Sequence, residues 1–182
     1  MLKQNLRLEL LRKRLGLDDT YIQNTSKKVI VNLFSNISFK NQSKILVYLP
    51  IKNEVDTSLL IEKLTSEGKE LFLPALSMKH WIVSKFDPNG EVEKVFGEVY
   101  QPQTIVSVDG RNIDIAIVPG IAFSTSGARL GFGFGVYDKL LARTSAIKIG
   151  LCYDFQLVDD VDISPMDVKM DFVVSEVGFI DV

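Results

Sequence analysis

A chain of 182 residues with 21 Lys and Arg against 23 Asp and Glu carries a formal net charge of −2, so no global field draws it to nucleic acid or an acidic membrane surface. Its 46% hydrophobic and 24% charged residues are ordinary for one globular domain, and a chain of this size buries roughly two-thirds of its unfolded surface. No apolar run approaches the ~20 residues of a membrane span, and the opening Met-Leu-Lys-Gln-Asn-Leu-Arg is too charged for a secretory signal; a cytoplasmic monomer of one domain over 1–182, without nucleic-acid or membrane partners, is expected.

Leu2 to Arg14 reads as a helix, with Leu6 and Leu10 on one stripe and Lys3, Arg7 and Arg14 on another. Lys3 and Arg7 are four apart and share a face, which is either solvated or turned to an anion. Leu17-Asp18-Asp19-Thr20 starts a second helix, whose Ile22, Val29, Ile30, Leu33 and Phe34 recur at core-facing spacing. Lys44 to Leu49 is a continuous apolar run of the kind found in buried parallel strands. Asp56 and Thr57 offer an N-cap for a helix through Leu64 that closes at Gly68. Glu70 to Leu73 makes the next strand, stopped by Pro74. This is a βαβ unit with an expected right-handed crossover. Ligands of open α/β sheets collect beyond the carboxyl ends of strands, which makes Glu54, in the loop after the first strand, a candidate.

Trp81 to Phe86 is another strand, and the turn Asp87-Pro88-Asn89-Gly90 predicts a hairpin continuing through Glu91 to Val95. His80 is the chain's only histidine, which excludes sites built on several histidines, and it reads more simply as a surface or satisfied side chain than as a catalytic one. Val106 to Asn112 reads as a loop, and Ile113 to Val118, Ile147 to Tyr153 and Phe172 to Ser175 as strands. The lone Cys152 sits in an apolar strand as a core thiol. Gln156 to Asp167 is an acidic loop, either solvated charge or a metal contact. The pattern predicts a single-domain α/β fold: a three-layer, open, mostly parallel sheet with helices on both faces, Rossmann-like.

Between two of these strands lies the most informative stretch, Val118 to Arg143, where Gly131, Gly133 and Gly135 alternate with Phe132 and Phe134. Arg129 precedes them, and Tyr137, Asp138 and Lys139 follow. Such glycines mark backbone at positive φ or close approach by a ligand, and the N–H groups of a loop entering a helix suit phosphate. Two familiar phosphate loops fit badly. A P-loop ends Gly-Lys-Ser/Thr, absent here, and the dinucleotide fingerprint fails at its third glycine, where Val136 or Asp138 stands. That fingerprint also follows its strand closely, whereas about a dozen residues separate Val118 from Gly131.

Val-Pro-Gly-x-Ala-Phe followed by Arg-Leu-Gly-x-Gly-x-Gly-x-Tyr-Asp resembles the signature of the 5-formyltetrahydrofolate cyclo-ligase (methenyltetrahydrofolate synthetase) family. A second resemblance is Tyr-x-Pro-x-x-x-Glu-Val-Asp-Thr, matched by Tyr48, Pro50, Glu54, Val55, Asp56 and Thr57. A third, looser one is Phe96-Gly97 to Gln101-Pro102, where the family has Phe-Gly-x-x-Glu-Pro; here Gln101 replaces the acid and the spacing is one longer. The chain departs further at Phe134, often Gly or Lys in the family, at Val136 and Lys139 within the family's Tyr-Tyr-Asp-Arg, and at Met166, where His precedes Asp167.

The resemblance implies a ligase that uses ATP to cyclise 5-formyltetrahydrofolate to 5,10-methenyltetrahydrofolate, releasing ADP and phosphate. A family member that binds folate or nucleotide without catalysing is the alternative. Tyr48, Glu54 and Trp81 are implied substrate-binding residues, Trp81 either walling the pterin or packing in the core. Lys3, Arg7, Arg129, Gly131, Gly133, Phe134, Gly135, Val136, Tyr137, Asp138 and Lys139 are the implied nucleotide-binding residues. Arg129, Tyr137 and Asp138 are the implied catalytic group, and Asp138 with Asp167 the implied ligands of Mg2+, the cofactor expected beside ATP.

Overall fold

A computed structural model describes residues 3–162, 164 and 166–182. Two helices lead: α1 (Lys3–Leu15) and α2 (Asp19–Asn36), the second capped by Asp18, whose side chain accepts the Tyr21 N–H at 2.8 Å. Then follow β1 (Lys44–Leu46), α3 (Ser58–Ser66), β2 (Glu70–Ser77), β3 (His80–Phe86), β4 (Val92–Lys94), β5 (Tyr100–Pro102), β6 (Ser107–Val108) and β7 (Ile115–Pro119). The chain continues through β8 (Ala122–Ser124), β9 (Arg129–Leu130), α4 (Val136–Leu141), β10 (Ile147–Leu151), β11 (Leu157–Val158), β12 (Phe172–Val174) and β13 (Phe179–Asp181). The first helix was read from Leu2, which lies outside the described residues.

Eight strands form one sheet in the order β13-β12-β10-β7-β1-β2-β3-β6. Its five central strands, β12 to β2, run parallel, and antiparallel neighbours close both edges. Strands β1, β7 and β10 are buried on both faces, which is why they read as unbroken apolar runs. Ile45, Ile115, Ile117 and Ile149 are fully buried there, and each such side chain stabilises the fold by about 1.5–3 kcal/mol. From β1 the chain crosses through α3 to β2 on one side; from β7 it crosses through α4 to β10 on the other. Right-handed crossovers in opposite directions put α3 and α4 on opposite faces, giving the three layers the sequence predicts. A second small core forms where Leu10 of α1 packs on Ile121, Ala122, Ala128 and Leu130. The last three border or belong to a three-stranded sheet, β11-β8-β9.

Four local expectations are corrected. Strand β2 runs through Pro74 instead of stopping there. Phe72 O accepts from Val47 N–H and the Leu76 N–H goes to Gln101 Oε1, both at 2.8 Å, so the backbone edge shared by residues 72, 74 and 76 faces away from β3. On that side the β1 ladder ends at Leu46↔Phe72, and the N–H that proline lacks has no partner to lose. The partner of β3 is β2, through a turn at Met78 and Lys79 (φ 46 and 67). The Asp87–Gly90 turn closes as expected (Gly90 N–H to Asp87 O, 2.9 Å), but β4 after it pairs with β5. Within the supposed loop 106–112, β6 pairs with β3 at Val83↔Val108. Finally, Thr57 occupies the N-cap of α3 without capping it; its hydroxyl donates to Tyr48 O at 2.7 Å, while Asp56 accepts from the Ser58 N–H and hydroxyl.

Candidate active site at the switch point of the sheet

Strands β1 and β7 are neighbours whose chains leave in opposite directions, and a crevice opens beyond their carboxyl ends at such a point. A cavity of about 200 Å³ lies there. Tyr48, Leu49, Ile51 and Glu54 reach it from the segment after β1; Pro119 and Gly120 reach it from the end of β7. Arg129 and the glycine loop form another wall, Lys3 and Arg7 of α1 a third, and Pro74, Val99 and Tyr100 a fourth. The topology thus joins segments that lie more than a hundred residues apart in the sequence.

The loop between β1 and α3 is held in an unusual backbone. Lys52 and Asn53 have φ of 49 and 58, a left-handed region that costs a side chain about 1–2 kcal/mol per residue. The compensation is local: Asn53 Nδ2 donates to the Arg14, Leu15 and Leu17 carbonyls at 3.2–3.4 Å, satisfying acceptors at the C-terminus of α1. This turns Glu54 inward, 4% exposed. Its Oε2 accepts the Ile51 N–H at 3.1 Å, and its Oε1 lies 3.6 Å from Arg14 Nη2. Burial pushes the Glu54 carboxyl up to about 7, against the opposing pull of Arg14, the Ile51 N–H, Lys52 and Arg129. Above it, the Tyr48 hydroxyl donates to Val55 O at 2.9 Å. Burial raises the Tyr48 and Tyr137 phenols above their ordinary range, so both remain neutral.

Across the cavity, β9 delivers Arg129, whose side chain is 5% exposed. Its Nη1 donates to Pro119 O at 3.3 Å and its Nη2 to Asp138 Oδ2 at 3.0 Å, while Nε is buried without a partner among the described residues. The guanidinium stands 5.5 Å from the centroid of the Tyr137 ring. Gly133 and Gly135 have φ of +95 and +64, and Gly135 begins α4. Gly131 has ordinary φ; a Cβ there would meet Arg129 Nη1 at 2.8 Å. Positive φ thus accounts for Gly133 and Gly135, whereas at Gly131 it is the Arg129 side chain that comes close. Arg7 Nε donates to Gly131 O at 2.9 Å and ties the loop to α1. Phe134, half exposed at 47%, meets the Phe96 ring edge-on at 4.9 Å.

Asp138 and Asp167 both line the cavity. Asp138 Oδ1 accepts the Val168 N–H at 3.2 Å, and Asp167 Oδ2 accepts Lys3 Nζ at 3.3 Å and the Ser164 N–H at 2.7 Å. No cluster of three or more metal-ligating side chains occurs among the described residues. Two carboxylates at a cavity edge fit a magnesium ion that keeps most of its waters.

Lys3, Arg7, Tyr48, Glu54, Arg129, Gly131 and Gly133 are thus brought to one cavity, with Phe134, Gly135, Val136, Tyr137, Asp138 and Asp167. Two expected residues are not. Lys139 is exposed on α4, and Trp81 packs half-buried against the main core, outside the cavity lining. His80 is exposed and Cys152 buried, its thiol pushed well up by burial. Sequence reasoning missed Arg14, Phe132 and Tyr100. Arg14 carried no signal of its own, since its spacing placed it on the basic stripe with Lys3 and Arg7; Tyr100 lay inside the Phe96–Pro102 element but was not singled out.

Known proteins resemble the chain along most of its length. Residues 1–176 match the model of the 5-formyltetrahydrofolate cyclo-ligase family. The chain is 30% identical over 139 residues to the 5-formyltetrahydrofolate cyclo-ligase of Escherichia coli K12, covering 72% of this chain and 76% of that protein. It is 30% identical over 178 residues to that of Mycoplasma genitalium, covering 94% and 96%. The solved structure of Aquifex aeolicus 5,10-methenyltetrahydrofolate synthetase superposes with a TM-score of 0.87 at 34% identity, covering 100% of this chain and 93% of that one. A sequence match along nearly the whole chain and a shared fold show the same thing: the chain belongs to the 5-formyltetrahydrofolate cyclo-ligase family.

Proposed function

We propose that the chain cyclises 5-formyltetrahydrofolate to 5,10-methenyltetrahydrofolate at the expense of ATP, with ADP and phosphate as the other products. One observation carries the reading in this family member: Glu54, Arg129 and the glycine loop line a single cavity. Folate and nucleotide can meet there. The formyl oxygen is a poor leaving group. Its attack on the γ-phosphoryl group forms an O–P bond and releases ADP; the amine at position 10 then adds to the formyl carbon and loses its proton. Phosphate departs with the former formyl oxygen.

Little covalent chemistry falls to the protein, and positioning with charge stabilisation dominates. Glu54 and the neutral Tyr48 hold the pterin end, the carboxylate accepting its N–H groups. Lys3, Arg7 and the amides of 131–136 receive the phosphates, and Arg129 faces the transferred group. Asp138 and Asp167 would hold Mg2+, which when bound would supply charge neutralisation on the phosphates. Tyr137 packs against Arg129 and fixes its direction. The proposed enzyme is a single-domain cytoplasmic monomer whose partners are small molecules; no helix among the described residues is long and apolar enough to cross a membrane.

Isotope transfer tests the reaction. Substrate labelled with 18O in the formyl group must place the label in the released phosphate. Label retained in folate, or lost to water, contradicts the phosphorylated intermediate.

A further inference from the structure

Arg14 is 1% exposed, lies outside the cavity lining, and has no part in the reaction described above. A guanidinium that deep is stable only when its donors are used. Nε donates to Lys52 O at 2.9 Å and Nη1 to Gly120 O at 2.8 Å. Lys52 belongs to the loop after β1, and Gly120 directly follows β7. One side chain therefore bridges the two segments that flank the switch point, from the end of a third element, α1. Its remaining nitrogen, Nη2, is buried 3.6 Å from Glu54 Oε1 and makes no hydrogen bond among the described residues. The guanidinium carbon also stands 5.6 Å from the centroid of Phe132, which does line the cavity.

The charged and titratable groups around Glu54 come from several elements. Arg14 faces it from α1, Lys52 from its own loop and Arg129 from β9. The Tyr48 phenol adjoins it from the end of β1 and that of Tyr137 from α4; the Tyr153 hydroxyl, beyond β10, donates to the Glu54 backbone carbonyl at 3.1 Å. Among the described residues Arg14 alone brings a cation within 4.0 Å of the carboxylate. A lysine cannot replace it, because one ammonium on a flexible stem lacks the planar fork that serves two carbonyls and a carboxylate together.

We infer that Arg14 is a positioning residue: it clamps the loops after β1 and β7 and holds Glu54 as an ion-paired carboxylate aimed into the cavity. The inference rests on Glu54 being the substrate-binding acid proposed above. It gives α1 two tasks, its N-terminal Lys3 and Arg7 at the phosphate wall and its C-terminal Arg14 beneath the folate wall.

Carboxyl NMR of glutamate-labelled, ligand-free protein tests it without any turnover. Glu54→Gln assigns the Glu54 resonance, and its titration is then followed in wild type, Arg14→Gln and Arg14→Lys. Losing the cation leaves burial unopposed, so the Glu54 midpoint should rise by about one pH unit or more in Arg14→Gln. In Arg14→Lys it should rise less. In either variant the pH below which 5-formyltetrahydrofolate binding weakens should move up with the midpoint, a shift that mere loosening of the fold does not produce. If Arg14→Gln does not fold, Arg14→Lys carries the test. A folded Arg14 variant whose Glu54 titrates as in wild type overturns the inference. A shifted midpoint in a protein whose wild type binds no 5-formyltetrahydrofolate supports the clamp and removes the folate reading instead.

Discussion

Arg129 Nη2 donates to Asp138 Oδ2 at 3.0 Å and so joins the strand before the glycine loop to the helix after it. The ion pair brackets residues 131–135 and fixes both ends of the wall proposed to receive phosphate. At 5% exposure the arginine is no surface residue, and its removal affects folding as well as binding.

Arg129→Ala leaves Asp138 without its cation and opens a gap beside Tyr137. A stability loss of about 1–3 kcal/mol is expected from the orphaned hydrogen-bonding groups. ATP affinity and turnover should fall much further than that loss explains when measured well below the melting temperature. Wild-type turnover in a folded Arg129→Ala protein would make the arginine structural only.

The three glycines separate into two experiments. Gly133 and Gly135 have positive φ, so alanine at either strains the backbone by about 1–2 kcal/mol and lowers both stability and nucleotide affinity. Gly131 has ordinary φ, and its added methyl meets only the flexible end of Arg129. Gly131→Ala leaves the backbone unstrained but pushes the buried guanidinium off its hydrogen bonds to Pro119 O and Asp138, so its stability loss should not exceed that of Arg129→Ala while turnover slows. Calorimetry and steady-state kinetics on the three variants distinguish strain from displacement. Wild-type turnover in Gly131→Ala contradicts the displacement, and unchanged stability in Gly133→Ala and Gly135→Ala contradicts the strain.

Much of this was legible in the sequence, for identifiable reasons. Buried parallel strands write themselves as apolar runs, and the Asp18 cap and the Gly131–Gly135 alternation are local signals with local causes. The β2–β3 hairpin was hidden because Met78 and Lys79 hold its positive φ values where Asn-Gly is the usual mark. The run of β2 through Pro74 depends on where β1 ends, which no window around residue 74 contains. Arg14 was hidden for the same reason. Its burial follows from Asn53 folding the next loop over the end of α1, and helical periodicity reports only the helix's own faces. Trp81 was drawn towards the site by its flat ring, yet its place in β3 turns it to the core.

Glu54 gives a pH signature in stability. Its carboxyl is raised from 4.5 to about 7 in the folded protein, so the folded state holds a proton that the unfolded state has released across that window. Stability is full below the lower value and is lost as pH rises through the upper one. Glu54→Gln abolishes this loss. The stability of the variant relative to wild type should grow between pH 4.5 and 7 by as much as about 3 kcal/mol. Leaving Arg14 unpaired offsets the whole curve without changing its slope. Folate affinity should weaken by about 1.5–3 kcal/mol, the worth of a charge-assisted hydrogen bond, with ATP affinity little altered. Denaturant titrations at several pH values check the slope; parallel curves for the two proteins would show that Glu54 titrates normally.

Turnover tests the central claim most directly. Purified protein is incubated with 5-formyltetrahydrofolate, ATP and Mg2+, and the conjugated methenyl product is followed by absorbance alongside ADP. The account predicts product that requires ATP, appears with one ADP per folate, and is strongly reduced in Gly131→Ala and Arg129→Ala. Saturable binding of both ligands with no methenyl product would contradict it and leave a folate- and nucleotide-binding member of the family.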